Sequence, residues 1–159
     1  MKKYLFLVST IFFFTNFKEK EETVVPVINI YFVKWDAIYK VDIDSGSILK
    51  KYKYFFSAKG YDFENMFFDY EDCLIKLNSS NTIQKEVCSV RSCVEFNYKD
   101  YPSFRIYFDN DGNYLFKGKW HAFVPNLYFY LFKYFSEELV PPDKLVIAKK
   151  KTLNDFWNK

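Results

Sequence analysis

The chain has 159 residues, a formal net charge of +3 and an aromatic content of 23%, made up of 20 Phe, 14 Tyr and 3 Trp. Half of the residues are hydrophobic and 27% are charged, which excludes a wholly disordered, collagen-like or multi-span membrane protein. The length fits one domain that is stable without a disulfide scaffold, and four glycines are too few for a glycine-rich nucleotide-binding fold. The aromatic excess has two interpretations, which are A/T-rich codons in the gene and selection for a binding surface.

The start of the chain resembles a secretory signal peptide. Two lysines precede an apolar run over residues 4–17, and the chain then turns polar at residues 18–22. As a helix this run would be about 21 Å long, short of the roughly 30 Å of a bilayer core, so no stable membrane span is expected. The end of the run lacks the small residues of a cleavage site, which leaves open whether the segment is removed. The alternative is a buried first strand or helix.

The chain divides into three segments, and the net charge without the first of them indicates the class of partner. Residues 1–17 form the signal peptide, 18–26 a polar linker and 27–159 a single domain of an exported protein, whether periplasmic, secreted or at the cell surface. Removing the two lysines of the signal peptide from the 23 basic residues leaves 21 against 20 acidic ones. Because nucleic-acid binding requires a basic stripe or a strongly basic domain, nucleic acid is not an expected partner.

Strand patterns dominate the middle of the chain. Residues 27–33 are apolar on both sides, which predicts an interior strand. A hairpin is predicted from strands at 38–43 and 48–56, joined by a turn at 44–47. The less regular part that follows is assigned to short elements, namely a loop at 57–60, a helix or turn at 62–68, and strands at 73–77, 82–87 and 94–98.

A second hairpin joins residues 104–108 to residues 113–118. The Asp-Asn-Asp-Gly sequence between them has the composition of a tight turn. Aligning Gly112 with the invariant glycine of a calcium-binding loop places Tyr107 at the first ligand position and Gly118 where a bidentate glutamate is needed. The cluster therefore predicts a turn and not a calcium site.

The C-terminal part contains the one long predicted helix, over residues 125–139, which begins at a proline and ends before prolines 141–142. Residues 145–148 are expected to form an edge strand, and Thr152 to cap a last short turn. Together these elements predict an α+β fold, with an antiparallel sheet built from hairpins and one main C-terminal helix packed on it.

Three cysteines are an odd number for an oxidising compartment. The spacing of Cys88 and Cys93 predicts a small disulfide loop, and reduced thiols are the alternative. A partnership of Cys73 or Cys88 with a histidine is also open. With one histidine and no second cysteine pair, neither a metal site nor a cofactor is predicted.

His121 is the only histidine and a candidate for a general base. Catalysis would need a cysteine or carboxylate partner beside it. The sequence contains no nucleophile elbow, zinc-protease motif or phosphate-binding glycine loop. The alternative is a polar residue at a strand end, packed beside Trp120.

Aromatic residues on the predicted helix give the strongest indication of a partner. One apolar stripe of the helix is expected to pack on the sheet, while Tyr128, Phe129 and Phe132 make the opposite flank apolar as well. Either more of the domain covers this flank, or these side chains and Trp120 form an exposed binding patch.

These observations favour a non-catalytic protein-binding module, such as an inhibitor or immunity protein that docks onto another protein. One alternative is a small hydrolase that uses His121 with a cysteine or a carboxylate. The other is a ligand or saccharide binder with a cleft lined by Trp35, Trp120 and tyrosines. The sequence does not specify the partner or the oligomeric state.

Overall fold

One antiparallel sheet of six strands organises the part of the chain that the computed structural model describes, residues 25–36, 43–60, 67, 69–85, 89–136 and 139–157. The strands are β1 (Val27–Phe32), β2 (Tyr54–Lys59), β3 (Val90–Asn97), β4 (Phe104–Asp109), β5 (Tyr114–Phe116) and β6 (Lys119–His121). The helices are α1 (Ile48–Lys51), α2 (Tyr70–Asn78), α3 (Pro125–Phe132) and α4 (Pro142–Trp157). Side by side, the strands follow the order β2-β1-β3-β4-β5-β6.

Alternation along the strands gives the sheet two different faces. The core face of the inner strands is apolar and fully buried, with Ile28, Ile30, Phe32, Val94, Phe96, Ile106 and Phe108. The other face, called the open face below, carries polar and aromatic side chains of the same strands, with Asn29, Tyr31, Glu95, Arg105 and Tyr107.

Helices α2, α3 and α4 contribute to the core on the core face of the sheet. Leu77 of α2, Leu131 of α3 and Ala148 of α4 belong to the same buried cluster as the apolar strand residues. Because burying a large apolar side chain contributes about 1.5–3 kcal/mol, this cluster is the main source of stability.

A smaller apolar cluster lies outside this core. Val33, Ile43, Ile48, Val90 and Cys93 are its buried members, and the partly buried Tyr31, Tyr107 and Trp120 of the open face pack against it. Ile48 belongs to α1, so this short helix and the loop before it cover part of the open face.

The predicted α+β fold is confirmed, and so is the strand at β1. The strand predicted at 94–98 corresponds to β3, which begins earlier, at Val90, and ends at Asn97. The hairpin of β4 and β5 is also confirmed, since Phe108 pairs with Tyr114 across a turn. In that turn Gly112 has φ 77°, a conformation that suits glycine, and a Cβ there would lie 2.6 Å from the Phe123 ring.

Two of the predicted strands are helices in the structure. Residues 73–77 lie in α2, where the Asp69 carboxylate accepts a hydrogen bond of 2.7 Å from the Asp72 N–H and caps the helix. Cys73 and Leu77 are four residues apart and both buried, a spacing that serves one face of a helix. Residues 145–148 lie in α4, and Thr152 is inside that helix and does not begin one.

Other boundaries also differ from the predictions. The helix predicted over 125–139 ends at Phe132. Residues 48–51 form α1 and residues 57–59 extend β2, which pairs with β1 within the described part of the chain. The hairpin predicted with 38–43 is not tested, because its first strand falls on residues that are not described. Residues 37–42, 61–66 and 86–88 lie outside the described part of the chain. From the strand predicted at 82–87, the described residues contribute one bridge, between Thr82 and His121.

Candidate functional site

The β6 edge of the sheet is covered by the chain itself. The N–H of Ile83 donates to the carbonyl of Trp120 at 2.9 Å, and the N–H of Ala122 donates to the carbonyl of Asn81 at 2.8 Å. Thr82 lies between these bonds and bridges to His121. The segment 81–83 therefore occupies backbone groups that a sheet edge would otherwise expose.

His121 helps to hold this covering segment in place. Its ring is 2% exposed and stacks on the Tyr114 ring with centroids 4.9 Å apart. The Ser80 hydroxyl lies 3.0 Å from Nδ1 of His121 and 2.6 Å from the Tyr114 hydroxyl. Tyr114 in turn donates to the Leu77 carbonyl at 2.7 Å, which ties the end of α2 to β5 and β6.

The direction of these hydrogen bonds favours a structural role for His121. Because the single hydrogen of the Tyr114 hydroxyl goes to Leu77, the Ser80 hydroxyl donates to Tyr114. The Ser80 hydroxyl then accepts a hydrogen bond from Nδ1–H of His121. Because Nδ1 carries this hydrogen, it has no lone pair with which to take a proton from Ser80. Among the described residues, the hydrogen-bond partner of His121 is thus a serine, whereas the hydrolase alternative calls for a cysteine or a carboxylate.

The β2 edge at the other side of the sheet differs. Within the described part of the chain, β2 pairs with β1 alone. Its aromatic side chains are exposed on both faces, with exposed fractions of 37% for Tyr54, 54% for Phe55 and 42% for Phe56. Exposed apolar side chains on an edge strand are the kind of surface that proteins usually avoid unless a partner covers it.

The ladder between β1 and β2 determines which backbone groups of β2 point outward. The N–H of Gly60 donates to the Pro26 carbonyl at 2.7 Å. In an antiparallel ladder, every second residue of a strand bonds to the same neighbouring strand, and the residues between them direct their N–H and C=O groups to the other side. Ala58 and Phe56 are therefore bonded to β1. The N–H and C=O groups of Phe55 and Ser57 point away from the sheet.

An aromatic cluster surrounds this edge on the open face. The Tyr31 ring lies 5.1 Å from both the Tyr52 ring and the Phe55 ring, and the last two are 6.4 Å apart. Such spacings hold aromatic rings in fixed relative positions. The cluster therefore offers a preformed apolar surface next to the outward backbone groups of β2.

The sequence from the end of α1 through β2 carries positive charge alone. Four lysines and no acidic residue occur between positions 50 and 59, and these are Lys50, Lys51, Lys53 and Lys59. A strand of a partner with acidic residues at its ends would complement this edge.

Of the two alternatives for the aromatic flank of the helix, burial holds for two members. Tyr128 and Phe132 are 2% and 1% exposed, and their rings pack in the core, each next to Phe108. Phe129 is half-buried on α3. Trp120 packs against the smaller cluster, beside open-face residues. The structure therefore does not unite these four side chains into one surface.

The carboxylate of Asp109 holds together the turn between β4 and β5. Oδ1 of Asp109 accepts from the N–H groups of Asp111 and Asn113 at 2.8 and 3.0 Å, and Oδ2 accepts from Lys85 and from the Asn113 side chain. These bonds explain the turn without an ion. No group of three His, Cys, Asp or Glu side chains suited to a metal occurs among the described residues.

The cysteines that the structure describes are buried thiols. Burial raises the pKa of Cys73 to about 11 and that of Cys93 to about 12, so neither forms much of the reactive thiolate at neutral pH. Cys93 is a free thiol, which contradicts the predicted bridge to Cys88 and agrees with the alternative of reduced thiols.

The sequence pattern of β2 does not mark this strand as a site. Its three consecutive aromatic residues also fit a strand covered on both faces, and only the pairing of β1 with β3 and β2 shows that β2 is outermost among the described strands. The available signal was the group of lysines around an apolar run, a pattern typical of edge strands.

Comparisons with other proteins add no function to this geometry. Within the described residues, no helix is both long and apolar enough to cross a bilayer. Searches against protein-family models, curated proteins and solved structures find no match for this chain.

Proposed function

We propose that this chain is a non-catalytic protein-binding module that takes up an extended segment of a partner protein along β2. The observation that carries the proposal is the outer edge of β2, where outward backbone groups lie between exposed aromatic side chains. Adding a strand to such an edge gives affinity through main-chain hydrogen bonds and specificity through alternate side chains.

The chemistry of β2 indicates what the partner segment carries. Apolar side chains on the partner would pack on Phe55 and Tyr54, and acidic residues at the ends of its strand would lie near the lysines at 50–53 and 59. A second copy of the chain fits less well, because two β2 strands would bring their lysines together without any acidic residue between them.

The proposal includes export as the setting of this binding. Its support is the basic start and the apolar run over residues 4–17 of the sequence. N-terminal sequencing of the protein recovered from its native cells tests it, since export with cleavage predicts a start after about residue 17, and a soluble cytosolic protein beginning at Met1 would contradict it.

A designed peptide tests the binding mode directly. The peptide alternates valine and threonine between pairs of glutamates, and a control peptide carries lysines in place of the glutamates. We expect the acidic peptide to slow hydrogen exchange at the amides of Phe55 and Ser57, measured by NMR on the full chain, and the basic peptide to bind at least about tenfold more weakly.

A matched pair of variants isolates the backbone. Ser57→Pro removes the outward N–H and is tolerated on an edge strand, while Ser57→Ala keeps it. Both variants lose the 2.7 Å hydrogen bond from the Ser57 hydroxyl to Asn29, so they differ mainly in the strand edge. We expect Ser57→Ala to bind the acidic peptide and Ser57→Pro to bind at least about tenfold more weakly.

Three results would overturn the proposal. The first is protection of the Phe55 and Ser57 amides before any peptide is added, which would show that this edge is already covered. The second is a dimer that Ser57→Pro dissociates, which would make a second copy the occupant. The third is equal binding of the acidic peptide by both Ser57 variants.

A further inference from the structure

A second surface lies on the open face, away from β2. A cleft of about 560 Å³ is lined by Arg105 and Tyr107 of β4, Leu115 of β5, and Lys117 of the turn after β5, with Ser45 from the loop before α1. Strands β1 and β3 separate β4 from β2. The cleft therefore lies apart from the edge to which the proposed function belongs.

Arg105 is held in position at this cleft. Its Nε donates to Oε1 of Glu95 at 2.8 Å, and its Nη2 lies 2.6 Å from the same oxygen. The other oxygen of Glu95 accepts from the Asn29 side chain at 3.2 Å. A guanidinium has more N–H donors than this contact uses, and the Arg105 side chain is 44% exposed. Arg105 thus combines a fixed orientation with donors left for a ligand.

Lys117 adds a second cation from a turn with unusual backbone geometry. Lys117 and Gly118 join β5 to β6 with φ values of 47° and 76°, so a lysine occupies a left-handed position where asparagine or glycine is ordinary. A residue kept in such a conformation suggests a use for its side chain. The Lys117 ammonium lies 5.3 Å from the centre of the Phe116 ring, another residue of the cleft.

We propose that this cleft binds a small organic oxyanion, a carboxylate or a phosphate ester, joined to an apolar group. Arg105 and Lys117 supply positive charge and donors for the oxyanion, and their combined charge exceeds that of Glu95. Tyr107 and Leu115 supply apolar surface for the rest of the ligand.

Three probes distinguish the possible ligands. N-acetylphenylalanine carries the carboxylate, phenyl phosphate carries the phosphate, and the amide of N-acetylphenylalanine is the neutral control. In NMR titrations of the full chain, we expect one of the two anions to give saturable shifts at Arg105, Tyr107 and Lys117, and the amide to bind at least about tenfold more weakly.

Lys117→Asn tests the cleft without endangering the fold, because asparagine suits the left-handed turn. We expect the favoured anion to bind about threefold more weakly to this variant, and at least about tenfold more weakly to Arg105→Gln. Lys99→Asn, which removes an exposed charge from the loop between β3 and β4, is the matched control and leaves binding unchanged.

The anion that binds more tightly identifies the source of the oxyanion, as a carboxylate or as a phosphate. Binding of the amide as tight as that of both anions would overturn the proposal. So would an affinity that falls equally in Lys99→Asn and Lys117→Asn, since that would show a general effect of net charge. Neither result bears on peptide binding at β2.

Discussion

The two edges of the sheet show two solutions to the same physical problem. Backbone groups at an edge need partners, and at β6 the chain supplies them from 81–83, held by Ser80, His121 and Tyr114. At β2, the described residues supply pairing on the inner side alone, and aromatic side chains lie exposed beside the outward groups. The hydrogen bonds of Ser80, His121 and Tyr114 thus support closure of the β6 edge, and the proposed binding belongs to the edge that the described residues pair on one side.

The variant His121→Ala is the strongest test of the contrast between the β6 and β2 edges. This change removes a fully buried ring, its stacking on Tyr114 and its hydrogen bond to Ser80. We expect a loss of about 2–3 kcal/mol in the free energy of unfolding, measured by urea denaturation.

Hydrogen exchange gives the specific readout for the same variant. The amides of Ile83 and Ala122 should exchange faster in His121→Ala than other amides of the sheet, because their bonds close the β6 edge. The control is Lys119→Ala, at an exposed position of β6, for which we expect the free energy of unfolding to change by less than about 0.5 kcal/mol. Unchanged exchange at Ile83 would show that His121 does not hold the covering segment.

Glu95→Gln tests how the β2 edge is attached to the middle of the sheet. Ser57 donates to Asn29, Asn29 donates to Glu95, and Glu95 also accepts from Arg105. Burial alone would raise the pKa of Glu95, but the hydrogen bonds from Arg105, Asn29 and Asn97 outweigh it and lower the pKa below its ordinary value. We expect the variant to be about 1–2 kcal/mol less stable at pH 7.

The pH dependence of this difference has a definite sign. A carboxyl whose pKa is lower in the folded state stabilises the fold above its unfolded pKa, and this contribution is lost as the pH falls through the folded pKa. The stability of wild type and Glu95→Gln should therefore converge below the ordinary value of 4.5 in urea titrations. A constant difference down to pH 3 would contradict the assignment to an ionised Glu95.

Features encoded by neighbouring residues were accessible from the sequence. The turn from Asp109 to Gly112 was predicted because its bonds join residues at most four positions apart. The helix at 70–78 was missed, although Asp69 is a suitable cap, because its short apolar pattern also fits a strand. The hydrogen bonds at the sites could not be found in this way, because Ser80 and His121 are 41 positions apart in the sequence and Asn29 and Glu95 are 66 positions apart.

Ser80→Ala is a milder test of the β6 edge. The hydroxyl is lost from both His121 and Tyr114, but Tyr114 keeps its bond to Leu77 and the His121 ring stays buried. We expect a loss of about 1 kcal/mol in urea denaturation. A combined variant of Ser80 and His121 should lose less than the sum of the two single changes, because they share one hydrogen bond. Full additivity would show that the two side chains act independently.

Phe55→Ala should have the smallest effect on stability and yet the clearest effect on binding. The side chain is 54% exposed, and its main contact is the cross-strand pair with Tyr31, so its removal should lower the free energy of unfolding by less than about 1 kcal/mol. In the same variant the acidic peptide should bind about tenfold more weakly, because an exposed aromatic beside outward backbone groups contributes where a partner packs. Ile75→Ala, at a similarly exposed position of α2, is the matched control and should change neither quantity. If Phe55→Ala instead destabilised the fold as much as His121→Ala, β2 would be a structural edge like β6, and the contrast between the two edges would be lost.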